Sequence, residues 1–355
     1  MNEFLTSPLM TYIGIPLIKG VVMLAVMLLT MAYLTFAERK ILSYMQARIG
    51  PNRVGPKGWL QPIADGLKLF VKEDLTPLRA EKFVFVLSPM LIFGVAILVW
   101  SVIPWGENFT IAGVEITPFL ADINIAVLFV LAVSSVGVYG LILGGWASNN
   151  KFSLMGGLRS AAQMISYEIP LGFSVVAVLL MSGTLSLVGT VEAQREAGVW
   201  FIFPGILAFG IYFICGIAEN NRNPFDLPEA EAELVAGFHT EYSGMKFAMF
   251  YLAEYMNMLL VSSLAVIFFF GGWLPPFPNL LSGLWQLPVL AWIPPVFWYF
   301  AKVMCFIIVF IWFRGTFPRY RFDQLMAVGW KWLLPLSLAN VLLVGIGVLV
   351  FRVWG

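Results

Sequence analysis

The sequence is poor in charged residues. Only 12% of its 355 residues are charged and 60% are hydrophobic, whereas soluble domains carry about 25% charged residues. The mean hydropathy is +0.87, a composition that excludes an ordinary water-soluble fold. The net charge of +1, with basic residues spread over separate loops, also excludes a nucleic-acid-binding surface.

Side chains that bind metals are equally scarce. The chain has two cysteines, Cys215 and Cys305, both inside apolar runs, and one histidine, His239. A zinc or iron–sulfur site needs several such ligands close together. We therefore predict that the chain holds no metal, no redox cofactor of its own and no catalytic residue in the strict sense, so that any redox cofactor belongs to a partner.

What the sequence does contain is long apolar runs. A transmembrane helix needs about 20 mostly apolar residues. Eight runs of this kind lie near 14–36, 82–103, 120–146, 160–185, 199–219, 244–271, 293–313 and 331–353. The sequence therefore predicts an all-α polytopic membrane protein with about eight transmembrane helices, forming one integral membrane domain over residues 1–355.

The loops between these runs differ in charge. One side carries Arg39, Lys40, Arg48, Arg53, Lys57, Lys68, Lys72, Arg79, Arg159, Arg222, Arg314, Arg319 and Arg321. The other side has little beyond Arg195 and Arg352. The positive-inside rule places the first set in the cytoplasm or mitochondrial matrix. An even number of spans then puts both termini on the periplasmic or outer side.

The stretch 59–72, WLQPIADGLKLFVK, is too short and too charged to cross a membrane. At helical spacing its polar residues form one stripe, made of Gln61, Asp65, Lys68 and Lys72. The opposite face is apolar, with Trp59, Ile63, Leu67, Phe70 and Val71. This pattern predicts an amphipathic helix lying in the membrane interface. The alternative is a short soluble helix docked on a partner.

Acidic residues inside the apolar runs are informative, because an ionisable group in a span is costly unless it is paired, hydrated or functional. Glu168 lies within the fourth run, and Pro170 removes the backbone donor that would bond the carbonyl of Ser166. Glu219 ends the fifth run. Glu254 lies in the sixth, one helical turn from Asn257.

The linker between the fifth and sixth runs adds further carboxylates, at Asp226, Glu229, Glu231, Glu233 and Glu241. Burial and a nearby like charge both raise the pKa of a carboxyl group, so such a cluster can exchange protons near neutral pH. We predict a proton relay. The alternative is that the acids merely form ion pairs with Arg222, Lys246 or Lys302.

Three further features have two interpretations each. Lys302, inside the seventh run, is either a counter-ion or a lysine that reaches toward the interface. The linkers at 148–163 and 314–326 mix basic, aromatic and turn-forming residues, which favours docking onto a soluble partner over free solvated loops.

Four segments carry a resemblance to a known family. They are residues 37–74, containing RIGPNRVGP, and residues 144–170, 218–255 and 313–326. Over nearly its whole length the chain resembles respiratory complex I membrane subunit 1, a family that shares its membrane fold with subunits of membrane-bound hydrogenases. The motifs are long and therefore specific.

This resemblance implies the membrane subunit of a proton-translocating NADH:quinone oxidoreductase, inactive alone, in which ubiquinone or menaquinone enters a tunnel. FMN and iron–sulfur clusters would belong to partner subunits. The implied partners are the soluble quinone-site and iron–sulfur subunits of the peripheral arm, small membrane subunits, antiporter-like pump subunits and lipid. The implied location is the bacterial cytoplasmic membrane or, alternatively, the mitochondrial inner membrane.

The resemblance also assigns residues. Those of the quinone tunnel or its entrance are Arg39, Arg48, Asp65, Lys68, Arg222 and Phe238. Those of an acidic path from the quinone toward the pumps are Glu168, Glu219, Asp226, Glu229, Glu231, Glu233 and Glu254. One departure is the linker PEAEAE, where many relatives place glycine or serine between the acids; the charges are kept.

Two other functions compete with this one. A hydrogenase subunit would need no quinone tunnel, and the RIGPNRVGP motif with the adjoining amphipathic helix favours the quinone enzyme. A secondary transporter or channel is the second alternative. Such folds show two related halves with broken helices, and the sequence has no repeat of that kind.

Overall fold

The helices are built from the apolar runs. In the computed structural model, residues 13–111, 114–227, 235–276 and 293–354 are described. The helices are α1 Ile15–Met45, α2 Gln61–Val71, α3 Lys82–Val99, α4 Ala126–Ala147, α5 Lys151–Ser182, α6 Leu187–Ala197, α7 Ile206–Glu219, α8 Gly244–Phe269, α9 Pro295–Thr316, α10 Phe322–Ala327 and α11 Leu334–Trp354. Strands β1 Phe109–Ile111 and β2 Val114–Ile116 form a short antiparallel hairpin.

The prediction of a helical, polytopic membrane protein is confirmed. Among the described residues, seven helical stretches are long and apolar enough to cross a membrane, namely α1, α3 with its short extension to Val102, α4, α5, α8, α9 and the continuous run Phe322–Val350. The fifth predicted run holds α7, which has only 14 residues. At about 1.5 Å per residue, α7 is shorter than the roughly 30 Å hydrocarbon layer.

Some predicted boundaries were wrong. Helix α1 continues to Met45 instead of ending near 36, so the sequence AERK is helical. Helix α5 begins at Lys151, where Asn150 caps it by accepting a hydrogen bond from the Phe152 amide at 2.9 Å. Most of the predicted docking loop at 148–163 is therefore helix. Helix α6 and the β1–β2 hairpin were not predicted.

Helix α8 lies at the centre of the bundle. In its apolar window 83% of the residues are buried, compared with 17% for α1 and 28% for α9. Its amino end is joined to the segment after α2, because Ser243 Oγ donates to the Glu73 carbonyl at 3.0 Å and accepts from the Leu75 amide at 3.2 Å. Lys246 pairs with Asp74 at 3.0 Å. The amphipathic helix is thus tied to the start of α8.

Helices α4 and α5 approach each other closely through glycines. A Cβ added at Gly145 would lie 2.7 Å from the carbonyl oxygen of Ser153 and 3.3 Å from the Cα of Gly157. Such small residues let two membrane helices pack backbone against backbone. This contact fixes α5, which carries Glu168, against α4.

A π-helical turn, Val328–Leu333, interrupts the last span. It lies against α5, where the Trp330 indole N–H donates to Ser166 Oγ at 3.1 Å. The Tyr167 hydroxyl donates to the Leu325 carbonyl at 2.8 Å. π-turns are frequent at functional sites, and this part of the chain contacts the two residues that directly precede Glu168.

Candidate functional site

A buried ion cluster connects three helices and one turn. Glu38 of α1 and Arg222 are 2% and 5% exposed. Arg222 donates to Glu38 at 2.8 Å, and its Nε also pairs with Glu254 of α8. Arg314 of α9 pairs with the same oxygen of Glu38. The negative charges of two carboxylates therefore balance the positive charges of two guanidinium groups.

Two tyrosines complete this ion cluster. The Tyr255 hydroxyl donates to the second oxygen of Glu38 and lies 3.1 Å from the Tyr251 hydroxyl. The Arg222 guanidinium lies 4.5 Å from the centre of the Tyr255 ring, a cation–π distance. Burial opposes the charge of Arg222, but Glu254 and Glu38 hold its pKa well above the ordinary value. Arg222 therefore stays charged.

Helix α5 positions the turn that carries Arg222. The Gln163 amide is fully buried and donates to the carbonyls of Ala218 and Phe225, both at 2.8 Å. One helical turn earlier, Ser160 Oγ accepts a hydrogen bond from the side-chain amide of Asn221 at 2.9 Å. These bonds hold both ends of the turn against α5.

A cavity of about 60 Å³ joins this cluster to Glu219. Its polar lining consists of Glu219, Asn220, Asn221, His239, Glu254, Asn257 and Ser134. Asn220 is 3% exposed, and its side-chain amide makes no hydrogen bond within the described part of the chain. The cavity has room for a few water molecules, and Glu219 and Glu254 both line it.

Glu168 lies beside this space. Its carboxylate accepts a hydrogen bond from Ser135 of α4, and the neighbouring Ser134 lines the cavity. Glu168 and Glu219 are close enough to interact electrostatically. Three of the predicted relay residues, Glu168, Glu219 and Glu254, are therefore brought together.

The other predicted relay residues are placed differently. Asp226 pairs with Arg319 at 3.0 Å. Glu241, in the same linker, accepts from the Asn150 amide at 2.6 Å. Glu229, Glu231 and Glu233 lie outside the described residues. Of the predicted alternative pairings, the one between Arg222 and an acid is present.

Lys302 caps the carboxyl end of α8. Its ammonium group donates to the carbonyls of Phe270 at 2.7 Å, Gly272 at 3.0 Å and Leu274 at 2.7 Å. Nearby, the buried Gln194 amide donates to the Ile267 carbonyl at 2.8 Å. Lysine charge at a helix carboxyl end is favourable, so these contacts fix that end of α8.

An open cavity of about 740 Å³ lies at the carboxyl end of α1, around the RIGPNRVGP motif. Arg48, Lys40, Tyr44, Phe36 and Trp59 are among its lining residues. It is bordered by aromatic and cationic groups together, a lining that suits an amphipathic molecule with a planar polar head.

The six predicted tunnel residues fall into two groups. Arg39 pairs with Asp65 at 2.7 Å, joining α1 to α2, and Arg48 lines the open cavity. Lys68 is exposed on α2. The second group is deeper in the bundle, because Arg222 belongs to the ion cluster and Phe238 lines the 60 Å³ cavity.

Glu38, Arg314 and Tyr255 were missed by the sequence reasoning. A signal for Glu38 existed, because Met27, Met31, Leu34 and Glu38 follow helical spacing and all are buried on one face of α1. Ending the first span at 36 hid that pattern. Nothing comparable marks Arg314, which resembles any basic residue at the end of a span.

Together, the bundle and its charged interior define a polytopic membrane protein of the class that carries ionisable groups along an internal path. A family profile described as NADH dehydrogenase matches residues 18–345. The chain therefore belongs to the NADH dehydrogenase family, and the resemblance to complex I membrane subunit 1 is confirmed.

Relatives match almost end to end. The H subunit of the NADH-quinone oxidoreductase of Magnetococcus marinus is 50% identical over 93% of this chain and 90% of its own. NADH-ubiquinone oxidoreductase chain 1 of Chondrus crispus is 51% identical over 95% of this chain and 98% of its own. An H subunit of the NADH-quinone oxidoreductase of Geobacter sulfurreducens is 47% identical over 97% of both chains.

Proposed function

We propose that this chain is the membrane subunit of a proton-translocating NADH:quinone oxidoreductase that admits quinone and couples its reduction to proton movement. The names of the relatives support the enzyme. The coupling proposal rests on one observation: Glu254, which belongs to the buried cluster with Glu38 and Arg222, lines the same cavity as Glu219.

The open cavity beside Arg48 is the proposed entrance for ubiquinone or menaquinone. Arg39 and Asp65 hold α2 at its border, and aromatic side chains offer stacking surfaces for the quinone ring. Electrons come from an iron–sulfur cluster of a partner subunit, which itself receives them through FMN. This chain contributes binding and charge, and no redox centre.

Coupling works through the sharing of Arg222 between two carboxylates. The cluster is neutral while Glu38 and Glu254 are both ionised, because their two charges balance Arg222 and Arg314. Uptake of a proton by Glu38 leaves one positive charge in excess. Arg222 then interacts more strongly with Glu254, the carboxylate that is still ionised. That change alters the field at Glu219 and Glu168, and a relay through Asp226, Glu229, Glu231 and Glu233 extends it toward the pump subunits.

The test uses the whole enzyme. Glu168→Gln and Glu254→Gln remove a carboxylate with little change of shape. We expect each to slow proton pumping and quinone reduction by about tenfold, equivalent to about 1.4 kcal/mol in the barrier. Glu192→Gln, which alters an exposed acid of α6 that does not line the cavity, is the control. Normal pumping and quinone reduction by fully assembled variants would refute the relay.

The assembly follows from the same proposal. The chain forms one integral membrane domain, with both termini on the periplasmic or outer side, in a bacterial cytoplasmic or mitochondrial inner membrane. Its partners are the quinone-site and iron–sulfur subunits, the small membrane subunits and the antiporter-like pumps. Co-purification of these soluble subunits in mild detergent separates this function from that of a hydrogenase subunit or of a transporter active alone.

A further inference from the structure

A groove lies at the end of the bundle opposite the ion cluster. Lys19 and Glu38 are both on α1, 19 residues apart in number, so the groove is about 28 Å from the cluster along the helix axis. This distance is close to the roughly 30 Å thickness of the hydrocarbon layer. The two sites therefore lie near opposite membrane surfaces.

The groove, called here the Lys19 groove, is apolar apart from its rim. Its walls include Val22, Met23, Ile103, Leu120 and Val296, with Lys19 at the edge, and its volume is about 230 Å³. An apolar cavity of about 150 Å³ is enough to hold a benzene molecule. The Lys19 groove therefore has room for part of a hydrocarbon chain.

Backbone hydrogen bonds hold the walls in place. The Trp105 amide donates to the Pro118 carbonyl at 3.4 Å, and the Leu120 amide donates to the Ser101 carbonyl at 3.1 Å. On α1 the flanking Leu17 and Val21 are 63% and 66% exposed. The groove is thus preformed and opens onto an exposed apolar surface of α1.

Lys19 brings a positive charge to this apolar setting. Its ammonium group donates to Thr117 Oγ1 at 2.9 Å, and no carboxylate of the described ranges pairs with it. Of the three N–H groups of a lysine, two remain available. A cation within a span is costly without a partner, and a lipid phosphate at the same membrane depth satisfies both its charge and its donors.

We propose that the Lys19 groove binds an anionic phospholipid, with the phosphate on Lys19 and one acyl chain between α1 and the residues around Leu120. An anionic lipid fits this site better than a zwitterionic lipid. The phosphate of a zwitterionic lipid is balanced by the cation of its own headgroup, whereas the phosphate of an anionic lipid is free to neutralise Lys19.

The experiment uses the intact complex in nanodiscs that contain photoactivatable phosphatidylglycerol or photoactivatable phosphatidylcholine. Cross-links to residues 15–24 are mapped by mass spectrometry. We expect phosphatidylglycerol to label this segment more strongly than phosphatidylcholine. Lys19→Gln should reduce the phosphatidylglycerol signal about fivefold, the effect of one lysine near a membrane surface, while Lys19→Arg keeps it.

Two more variants separate charge from shape. Val22→Trp fills the groove without touching the charge and should reduce labelling by both lipids. Lys331→Gln, which removes an exposed lysine that does not line the groove, is the matched control and should change nothing. Three results would each overturn the proposal: equal labelling by the two lipids, an unchanged phosphatidylglycerol signal in Lys19→Gln, and complete competition by inorganic phosphate.

Discussion

At the scale of single residues, Glu38 of the ion cluster is contacted by two guanidinium groups and one tyrosine hydroxyl. Arg222 and Arg314 share one of its oxygens and Tyr255 bonds the other. Removing this buried carboxylate would leave positive charge on Arg222 and Arg314 without the negative charge of Glu38 to balance it, which is costly in the protein interior. Glu38 therefore determines the charge balance of the ion cluster.

We expect Glu38→Gln to leave Arg222 and Arg314 with one carboxylate between them. Removing one partner of a buried ion pair costs about 3–5 kcal/mol, so the free energy of unfolding should fall and quinone reduction should be nearly lost. Thermal stability and NADH:quinone activity of the purified complex measure the two effects. The activity loss would have to exceed the loss of assembled complex on native gels; a proportional loss would assign Glu38 a purely structural role.

A second residue-scale prediction concerns the entrance. Asp65→Asn breaks the contact with Arg39, which as an exposed pair contributes only about 0–1 kcal/mol to folding. Stability should hardly change, while the KM for quinone should rise several-fold at nearly constant kcat, because α2 loses its attachment to α1. Glu107→Gln, which breaks another exposed pair, with Arg195, is the control. Equal KM values for the wild-type enzyme and both variants would contradict the entrance assignment.

At the scale of elements, the positions of the helices could be predicted and their ends could not. Apolar runs locate the part of a helix inside the membrane, but backbone hydrogen bonding continues until a capping residue stops it. Asn150 and Gly183 set the ends of α5, and Asn150 lies well outside the apolar run. Helix α6 was missed because it is short and polar, although Ser186 and Gly198 at its ends are typical caps.

The α4–α5 contact gives a stability prediction. Gly145→Ala places a methyl group against the Ser153 backbone, 2.7 Å from its carbonyl oxygen, and backbone cannot move aside as a side chain can. We expect a loss of about 1–3 kcal/mol in stability, measured as a lower Tm. Gly137→Ala, also on α4, meets only Val95 at 3.8 Å and should leave the Tm unchanged. A similar Tm for both variants would argue against the tight crossing.

The turn that carries Arg222 gives a second prediction at this scale. Gln163→Leu removes both hydrogen bonds to the turn and leaves the carbonyls of Ala218 and Phe225 without these bonds, at a cost of about 1–3 kcal/mol. Hydrogen exchange of residues 218–225 should become faster and quinone reduction several-fold slower. Exchange unchanged from the wild-type enzyme would mean that α5 does not position Arg222.

At the scale of the whole molecule, the sequence identifies Glu168 and Glu254 because a lone acid in an apolar run is conspicuous. It names Arg222 as a possible partner but does not identify Arg314 or Glu38, since these residues come from distant parts of the chain and meet only after the helices pack. Pairing therefore depends on tertiary structure. The relay roles of all seven predicted acids stay predictions.

The fastening of α8 at its carboxyl end has a mechanical consequence. Lys302 and Gln194 hold that end, whereas the amino end is joined through Ser243 and Lys246 to the segment after the amphipathic helix. A displacement of α2 along the membrane surface would therefore tilt α8 about a stationary pivot. Glu254 would swing relative to Arg222 while the helix itself stayed unbroken, so motion at the lipid boundary would reach the charged interior as a change in one inter-atomic distance.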